Sequence, residues 1–390
     1  MKRKLKIAHV NMFYLPTVGG VEQVMCELAE RQVKQGHEVH VFCCDSDKNQ
    51  RLKLKEETIN GVHIHRIPYW FRLSLSTFIW PGLLWRFKAN ENGKKFDIIH
   101  SHVSGHLYIL IMGILTRLKK IKHVHTTHCP WTGAEFRPLV LRPFLFLNDL
   151  FFNKWAFRMI DKVIAITPWE FETLEKYTRK EKISVIPNGM DAILYNKVKN
   201  NQFKKKYNIQ EKNLVLFFGR LNPTKGPEKL ALTAIEISKK RKDIAFIWVG
   251  PDEGKASEVQ QLIKGWKNMK YLGPIYGKKN IAEMYQASDI YILPSYREGL
   301  PLTLFEAMAS GLPIIASPVN GVPFEMSSPD NGFFSNYGDI EGLKKNILKL
   351  IDNPTLRKKI SQNNIKKARQ YNWDLLAERY MEEYYNLLKN

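Results

Sequence analysis

Ile290-Tyr291-Ile292-Leu293-Pro294-Ser295-Tyr296-Arg297-Glu298-Gly299-Leu300-Pro301-Leu302-Thr303-Leu304-Phe305-Glu306-Ala307-Met308-Ala309-Ser310-Gly311-Leu312-Pro313-Ile314-Ile315-Ala316 reads as strand, loop, helix and strand. Two apolar runs bracket a helix that starts near Pro301. A proline in the first turn costs nothing there, because its missing N–H would have no helical partner. The other N–H groups of that turn, at the positive end of the helix dipole, suit an anion such as a diphosphate. Glu298 sits just before the helix and Glu306 lies inside it, more than one turn on.

Two glutamates also suggest the carboxylate pair of a glycosidase, which needs a separation of about 5–9.5 Å. Eight helical residues span about 12 Å. The spacing fits one extended ligand gripped at two points better than one bond attacked from two sides. Taken alone, the stretch also fits a capped surface helix with two solvated glutamates.

The same alternation runs outward along the chain. Strands are expected at Leu5–Val10, Val39–Cys43, Val62–Ile67, Asp97–His100, His123–Thr127, Lys162–Ile166 and Ser184–Ile186. Between the first two, Val21–Gln35 carries Val21, Val24, Met25, Leu28, Ala29 and Val33 at helical spacing, and Gly36 closes it. A break falls at Pro187-Asn188-Gly189. The pattern restarts with Leu214–Phe218, a helix Pro227–Lys240 and Ala245–Val249. Alternating strands and helices imply parallel, doubly wound sheets. Two Rossmann-like domains are therefore expected, 1–187 and 188–371, with a last helix from about residue 372.

Length, 44% hydrophobic content and 25% charged content describe an ordinary globular chain. No secretory signal stands out, and no run reaches the roughly 18–20 apolar residues of a membrane span, so a cytoplasmic location is expected. Cys26, Cys43, Cys44 and Cys129 form no Cys-x-x-Cys pair and read as reduced, mostly buried thiols. The net charge of +22 comes without any zinc-finger, RRM or helix-turn-helix pattern, which argues against nucleic acid. Two stretches, Tyr69–Phe87 and Arg137–Met159, mix aromatic and basic residues. They suit an interfacial helix on an anionic bilayer, and equally a core-facing aromatic helix with snorkelling arginines.

Other candidates sit at strand ends. Gly19-Gly20 opens a helix, where bare backbone can approach a phosphate or sugar, or simply turn the chain. All eleven histidines fall between His9 and His128. His63-x-His65, His100-x-His102 and His123-x-His125 invite a metal, but alternate strand residues share a face anyway, and no Cys or carboxylate completes a metal spacing. His128 follows a strand's carboxyl end, where parallel sheets bind ligands. Arg220 and Lys225 follow Leu214–Phe218, where two cations could neutralise a diphosphate or simply lie on the surface. Asp45-Ser46-Asp47 has the letters of a metal motif but no supporting context.

Four motifs, Gly19-Gly20-Val21-Glu22, Ile186-Pro187-Asn188-Gly189-Met190-Asp191, Gly219-Arg220-Leu221 with Lys225-Gly226, and Glu298 to Glu306 within its stretch, occur in this order. With them nearly the whole chain resembles the family 4 retaining glycosyltransferases of the GT-B fold. The resemblance implies an α/β protein of two Rossmann-like domains facing a central cleft. It implies an acceptor domain, 1–187 completed by helix 372–390, and a donor domain, 188–371. It also implies a nucleotide-sugar donor (UDP or GDP) and a lipid or lipid-linked glycan acceptor, with no cofactor and no metal. Arg220 and Lys225 would hold the diphosphate, with Gly19, Gly20 and the N–H groups of Leu302, Thr303 and Leu304. Glu306 would bind the ribose and Glu298 a sugar hydroxyl. His128, in Thr126-Thr127-His128, would hold the sugar or the reacting centre. Glu325 departs from the family pattern, because Phe324 intervenes after Pro323. The alternatives are a nucleotide-sugar-binding scaffold without catalysis and a GT-B epimerase. The expected place is the cytoplasm, peripheral on the inner membrane face.

Overall fold

A computed structural model describes residues 3–17, 19–47, 50–74, 77–80, 82–86, 90–91, 94–129, 153–191 and 202–389. The chain divides into two compact units, Met1–Asn188 with Trp373–Asn390, and Gly189–Asn372.

The first unit is built on β1 (Lys6–Val10), β2 (Glu38–Cys44), β3 (Glu56–Ile59), β4 (Val62–Ile67), β5 (Ile98–His102), β6 (Lys122–Thr126), β7 (Lys162–Ala165) and β8 (Ile183–Val185). Their order across the sheet is β8-β7-β6-β5-β1-β2-β4-β3. All neighbours are parallel except β3 and β4. That antiparallel edge departs from the expected all-parallel sheet. Its signal was the dipeptide Asn60-Gly61, whose φ values of 50° and 82° are those of a two-residue hairpin turn. Apolar strand residues such as Val10, Phe42, Ile99 and Val163 pack with Tyr108, Met112 and Phe157, all at or near zero exposure. Each such side chain contributes about 1.5–3 kcal/mol.

Helix α1 (Gly20–Lys34) covers one face of this sheet with Met25 and Ala29. The final helix, α2 (Trp373–Lys389), belongs to the same unit. Asp374 pairs with Arg31 at 2.6 Å, Tyr384 bonds His100 at 2.5 Å, and Arg379 donates to the Val185 carbonyl at 2.6 Å.

The aromatic and basic stretch at Tyr69–Phe87 is not one helix. It forms an antiparallel ribbon, Phe71–Ser74 with Thr77–Ile79, then a short helix, Gly82–Arg86. Trp80 and Leu83 are core, whereas Trp70 is 68% exposed. The stretch therefore carries both buried and exposed apolar residues. Most of the second stretch, residues 137–152, lies outside the described residues, as does Trp131.

The second unit carries β9 (Asn213–Phe218), β10 (Ile244–Val249), β11 (Met269–Tyr271), β12 (Ile290–Leu293), β13 (Ile314–Ala316) and β14 (Gly332–Phe334). The order is β11-β10-β9-β12-β13-β14, all parallel. Strands buried on both faces read as continuous apolar runs, as Ile244–Val249 and Ile290–Leu293 do. Winding goes outward from β9 one way and from β12 the other. The crevice between their carboxyl ends is a topological switch point, the place where such sheets bind ligands.

Candidate active site

The loops after β9 and β12 are stitched together at that switch point. The Tyr296 N–H donates to the Thr224 carbonyl at 3.1 Å. Asn222 caps the turn Pro223–Lys225, its Oδ1 accepting from the Thr224 N–H at 3.1 Å. Gly226, at φ 60°, lies so close to the second loop that a Cβ would stand 2.4 Å from the Pro294 carbonyl oxygen. Only glycine meets both conditions.

This stitching brings Lys225 and Glu298 together across 73 residues of sequence. Lys225 Nζ donates to Glu298 Oε2 at 2.5 Å, and Ser295 Oγ donates to Glu298 Oε1 at 2.6 Å. The Glu298 backbone N–H reaches Asn320 Oδ1 at 3.3 Å. The Glu298 side chain is 2% exposed and that of Lys225 17%, so the pair is shielded and charge-assisted. Each carboxylate oxygen keeps a lone pair for a ligand hydroxyl. Arg220, by contrast, pairs at 3.1 Å with Glu253 on the open surface. Exposed pairs are worth about 0–1 kcal/mol, so its guanidinium is easily given up to a stronger anion.

The signature helix spans Leu302–Ala309, with Pro301 in the extended cap position, one place earlier than expected. The Leu304 N–H donates to the Pro301 carbonyl at 3.1 Å and is not open to a ligand. The N–H groups of Leu302 and Thr303 make no hydrogen bond among the described residues, so they are the two open donors. Thr303 Oγ1 lies 2.8 Å from the Tyr291 hydroxyl, whose ionisation burial pushes up. Glu306 is buried and accepts from the Tyr285 hydroxyl at 2.9 Å.

In the first unit, Gly19 caps α1 in extended backbone and Gly20 opens it. Among the described residues a Cβ on Gly20 would meet nothing within 4 Å, so their packing does not demand this glycine. His128 lies just past β6. It and Cys129 both hold φ 55°, a left-handed conformation that non-glycine residues avoid. Its Nε2 lies 3.1 Å from His102 Nδ1, and burial holds its ionisation down to about 3. His128 is therefore neutral at pH 7.

Sequence reasoning missed the companions of these residues. Ser295 and Asn320 both hold Glu298, the first through its hydroxyl and the second through its side-chain oxygen. His102 falls in one of the metal-like His-x-His pairs, and nothing in the sequence singles out His9. Among the described residues, His9, His100 and His102 do form a cluster with metal-ligand spacing. Their nitrogens are engaged, however: His9 with Gln32 and His102, and His100 with Tyr384 and Thr126. Asp45 is likewise occupied, fully buried and accepting from Lys55 at 2.5 Å, Arg51 at 3.3 Å and the Tyr69 N–H at 3.2 Å. Glu325, outside the family pattern, accepts from the Tyr371 hydroxyl in a buried pair.

Comparison with known proteins places the fold and the family. The fold matches that of Anabaena HepE solved in complex with UDP, with TM-score 0.78 over 98% of this chain and 100% of that one at 18% identity. It is the two-sheet GT-B fold of glycosyltransferases. Two family models match in succession, Glycosyltransferase Family 4 over residues 18–193 and Glycosyl transferases group 1 over residues 198–367. The chain belongs to this glycosyltransferase family, and it is a transferase of glycosyl groups. One relative is the UDP-Gal:alpha-D-GlcNAc-diphosphoundecaprenol alpha-1,3-galactosyltransferase of Escherichia coli, 29% identical over 90% of this chain and 89% of its own length. Another is the N-acetyl-alpha-D-glucosaminyl L-malate synthase of Bacillus anthracis, 25% identical over 99% and 98%.

Proposed function

We propose that the protein is a retaining, metal-independent glycosyltransferase. It moves a hexose or N-acetylhexosamine from a UDP-sugar to a lipid-linked acceptor at the inner face of a membrane. The observation that carries this reading is the shielded Lys225–Glu298 pair at the switch point of the second sheet, beside the two open N–H groups of Leu302 and Thr303. Cation and helix N-terminus suit a diphosphate, and the adjacent carboxylate suits a sugar hydroxyl. Arg220 adds a second cation, Glu306 takes the ribose, and the Gly19-Gly20 backbone admits the ligand closely.

Charge develops on the leaving diphosphate as the C1–O bond breaks. Lys225, Arg220 and the helix N-terminus stabilise it in place of a metal. The acceptor hydroxyl forms the new C1–O bond on the same face, and its proton passes to the departing phosphate oxygen. His128, neutral at pH 7, orients a hydroxyl. The second unit holds the donor and the first the acceptor.

The UDP complex of HepE and the substrate named for the E. coli relative support the donor and acceptor classes. A membrane role draws support from helix Leu107–Lys119, where Leu107, Ile114 and Leu118 are exposed beside Arg117, Lys119 and Lys120. Trp155, on the neighbouring helix Lys154–Met159, is 63% exposed. No helix among the described residues is long and apolar enough to cross a membrane.

The test is a donor screen: UDP-glucose, UDP-N-acetylglucosamine, UDP-galactose and GDP-mannose with EDTA present, with and without lipid extract. Release of UDP from one donor, only with lipid, is the expected result. Donor turnover without acceptor would indicate an epimerase or hydrolase, and binding without turnover a scaffold. Release that stops on adding EDTA would refute metal independence.

A further inference from the structure

Four elements of the first unit bring one line of polar groups together. Gln32 on α1 has Oε1 2.8 Å from His9 Nε2 on β1. His9 Nδ1 lies 3.0 Å from His102 Nε2 on β5. His102 Nδ1 lies 3.1 Å from His128 Nε2, past the end of β6. Gln32, His9 and His102 have no solvent exposure at all. The line ends at His128 Nδ1, which makes no hydrogen bond among the described residues.

A neutral imidazole offers one N–H and one lone pair. In a line of such rings every contact needs one of each, so all the rings must point the same way. The Gln32 amide sets that direction. Its Oε1 faces His9, and its Nε2 faces the Tyr384 hydroxyl at 3.5 Å. Tyr384 is then free to donate to His100 Nδ1 at 2.5 Å, and His100 Nε2 to donate to Thr126 Oγ1 at 2.7 Å. On the other branch, His9 donates to Gln32, His102 donates to His9, and His128 donates to His102. Reversing the amide would reverse that branch and leave His128 Nδ1 carrying the proton.

We propose that Gln32, His9 and His102 are positioning residues that hold His128 as its Nε2–H tautomer, presenting a bare Nδ1 that accepts a hydrogen bond from a ligand hydroxyl. The second half of this statement rests on the reading of His128 as a ligand contact. Burial keeps the rings neutral, with His9 held down to about 4 and His128 to about 3. A neutral acceptor suits a sugar hydroxyl and repels a phosphate oxygen. The left-handed backbone at His128 and Cys129, and at Val103 beside β5, is the local cost of aiming the ring this way. Backbone bonds from Val103 to Thr126 at 3.0 Å and from Ser104 to Thr127 at 3.2 Å brace the turn.

The experiment is long-range proton–nitrogen NMR on the full chain labelled with 15N-histidine, with His128 assigned by its loss in His128→Gln. The wild type is expected to show the proton on Nε2 of His128. Gln32→Met removes the anchor, and His9→Gln breaks the line while keeping Gln32. Each should mix the two His128 tautomers, with unchanged His63 signals reporting the fold. A proton on Nδ1 in the wild type, or unaltered His128 tautomers in both variants, overturns the relay; if a variant fails to fold, the wild-type spectrum still decides its direction. On the donor found by the screen, Gln32→Met should lower kcat about tenfold, the worth of one hydrogen bond, with donor KM little changed. Tautomers that shift with no change in kcat would leave the relay standing and overturn the ligand role of Nδ1.

Discussion

Acid is expected to unfold the two units at different pH, because every histidine of the chain lies in the first. Burial holds His9 down to about 4 and His123 and His128 to about 3, and it moves His100, His102 and His125 in the same direction. These groups fold as neutral rings. In the unfolded chain they take up protons near pH 6.5. Below that value the unfolded state binds more protons than the folded one, so stability is complete above about pH 6.5 and falls as pH drops toward the folded values.

Each ring costs about 1.4 kcal/mol per pH unit in that window. At pH 5.5 His9, His123 and His128 together remove about 4 kcal/mol, and His100, His102 and His125 act in the same direction. A domain has only about 5–15 kcal/mol in hand. The first unit should therefore lose its fold between about pH 6 and 4.5, ahead of the second. Near-UV circular dichroism and histidine NMR would follow the first unit, and fluorescence of single-tryptophan variants keeping the buried Trp248 would follow the second. A first unit that stays folded at pH 4, or that weakens as pH is raised from 5 to 7, would refute the reasoning.

Glu298→Gln keeps the shape of the buried group and an oxygen for Lys225, so it should cost about 1–2 kcal/mol in denaturant unfolding. It should lower kcat about 100-fold or more on the donor found by the screen, and wild-type turnover would remove Glu298 from the site. Lys225→Met strands the carboxylate instead. It should destabilise the second unit by about 3 kcal/mol, more than Glu298→Gln, and the reverse order in urea midpoints would count against the buried pair. Gly20→Val enters open space, so the melting temperature should hold while donor-dependent turnover falls; full activity would remove Gly20 from the ligand path. Gly250→Ala places a Cβ 1.9 Å from the Gly219 carbonyl oxygen at φ 144°, so the second unit should be lost from soluble expression, and a well-folded variant would contradict this packing.

Much of this protein was open to reading along the chain. The alternation of strands and helices, the break near Pro187, the helix stop at Gly36 and the start at Pro301 all rest on interactions within a turn or two of backbone. Glu298, Lys225 and His128 stood out because they fall at strand ends or just before a helix start, and Glu306 because of its spacing from Glu298 in the same stretch. Misplacements have local causes too. The hairpin at Asn60-Gly61 was signalled but hidden among charged residues, and the ribbon at Phe71–Ile79 lies in a sequence with no strict two-residue alternation.

Tertiary structure alone decided who meets whom. Strand order, and with it the switch point between β9 and β12, follows from how apolar faces are shared across the whole sheet. The bond between Lys225 and Glu298 spans 73 residues, that between His9 and His102 spans 93, and that between His100 and Tyr384 spans 284. Backbone propensity carries no information over such separations. Those side chains are paired because burying a polar group without a partner is costly, and only the packed fold determines which partner is within reach.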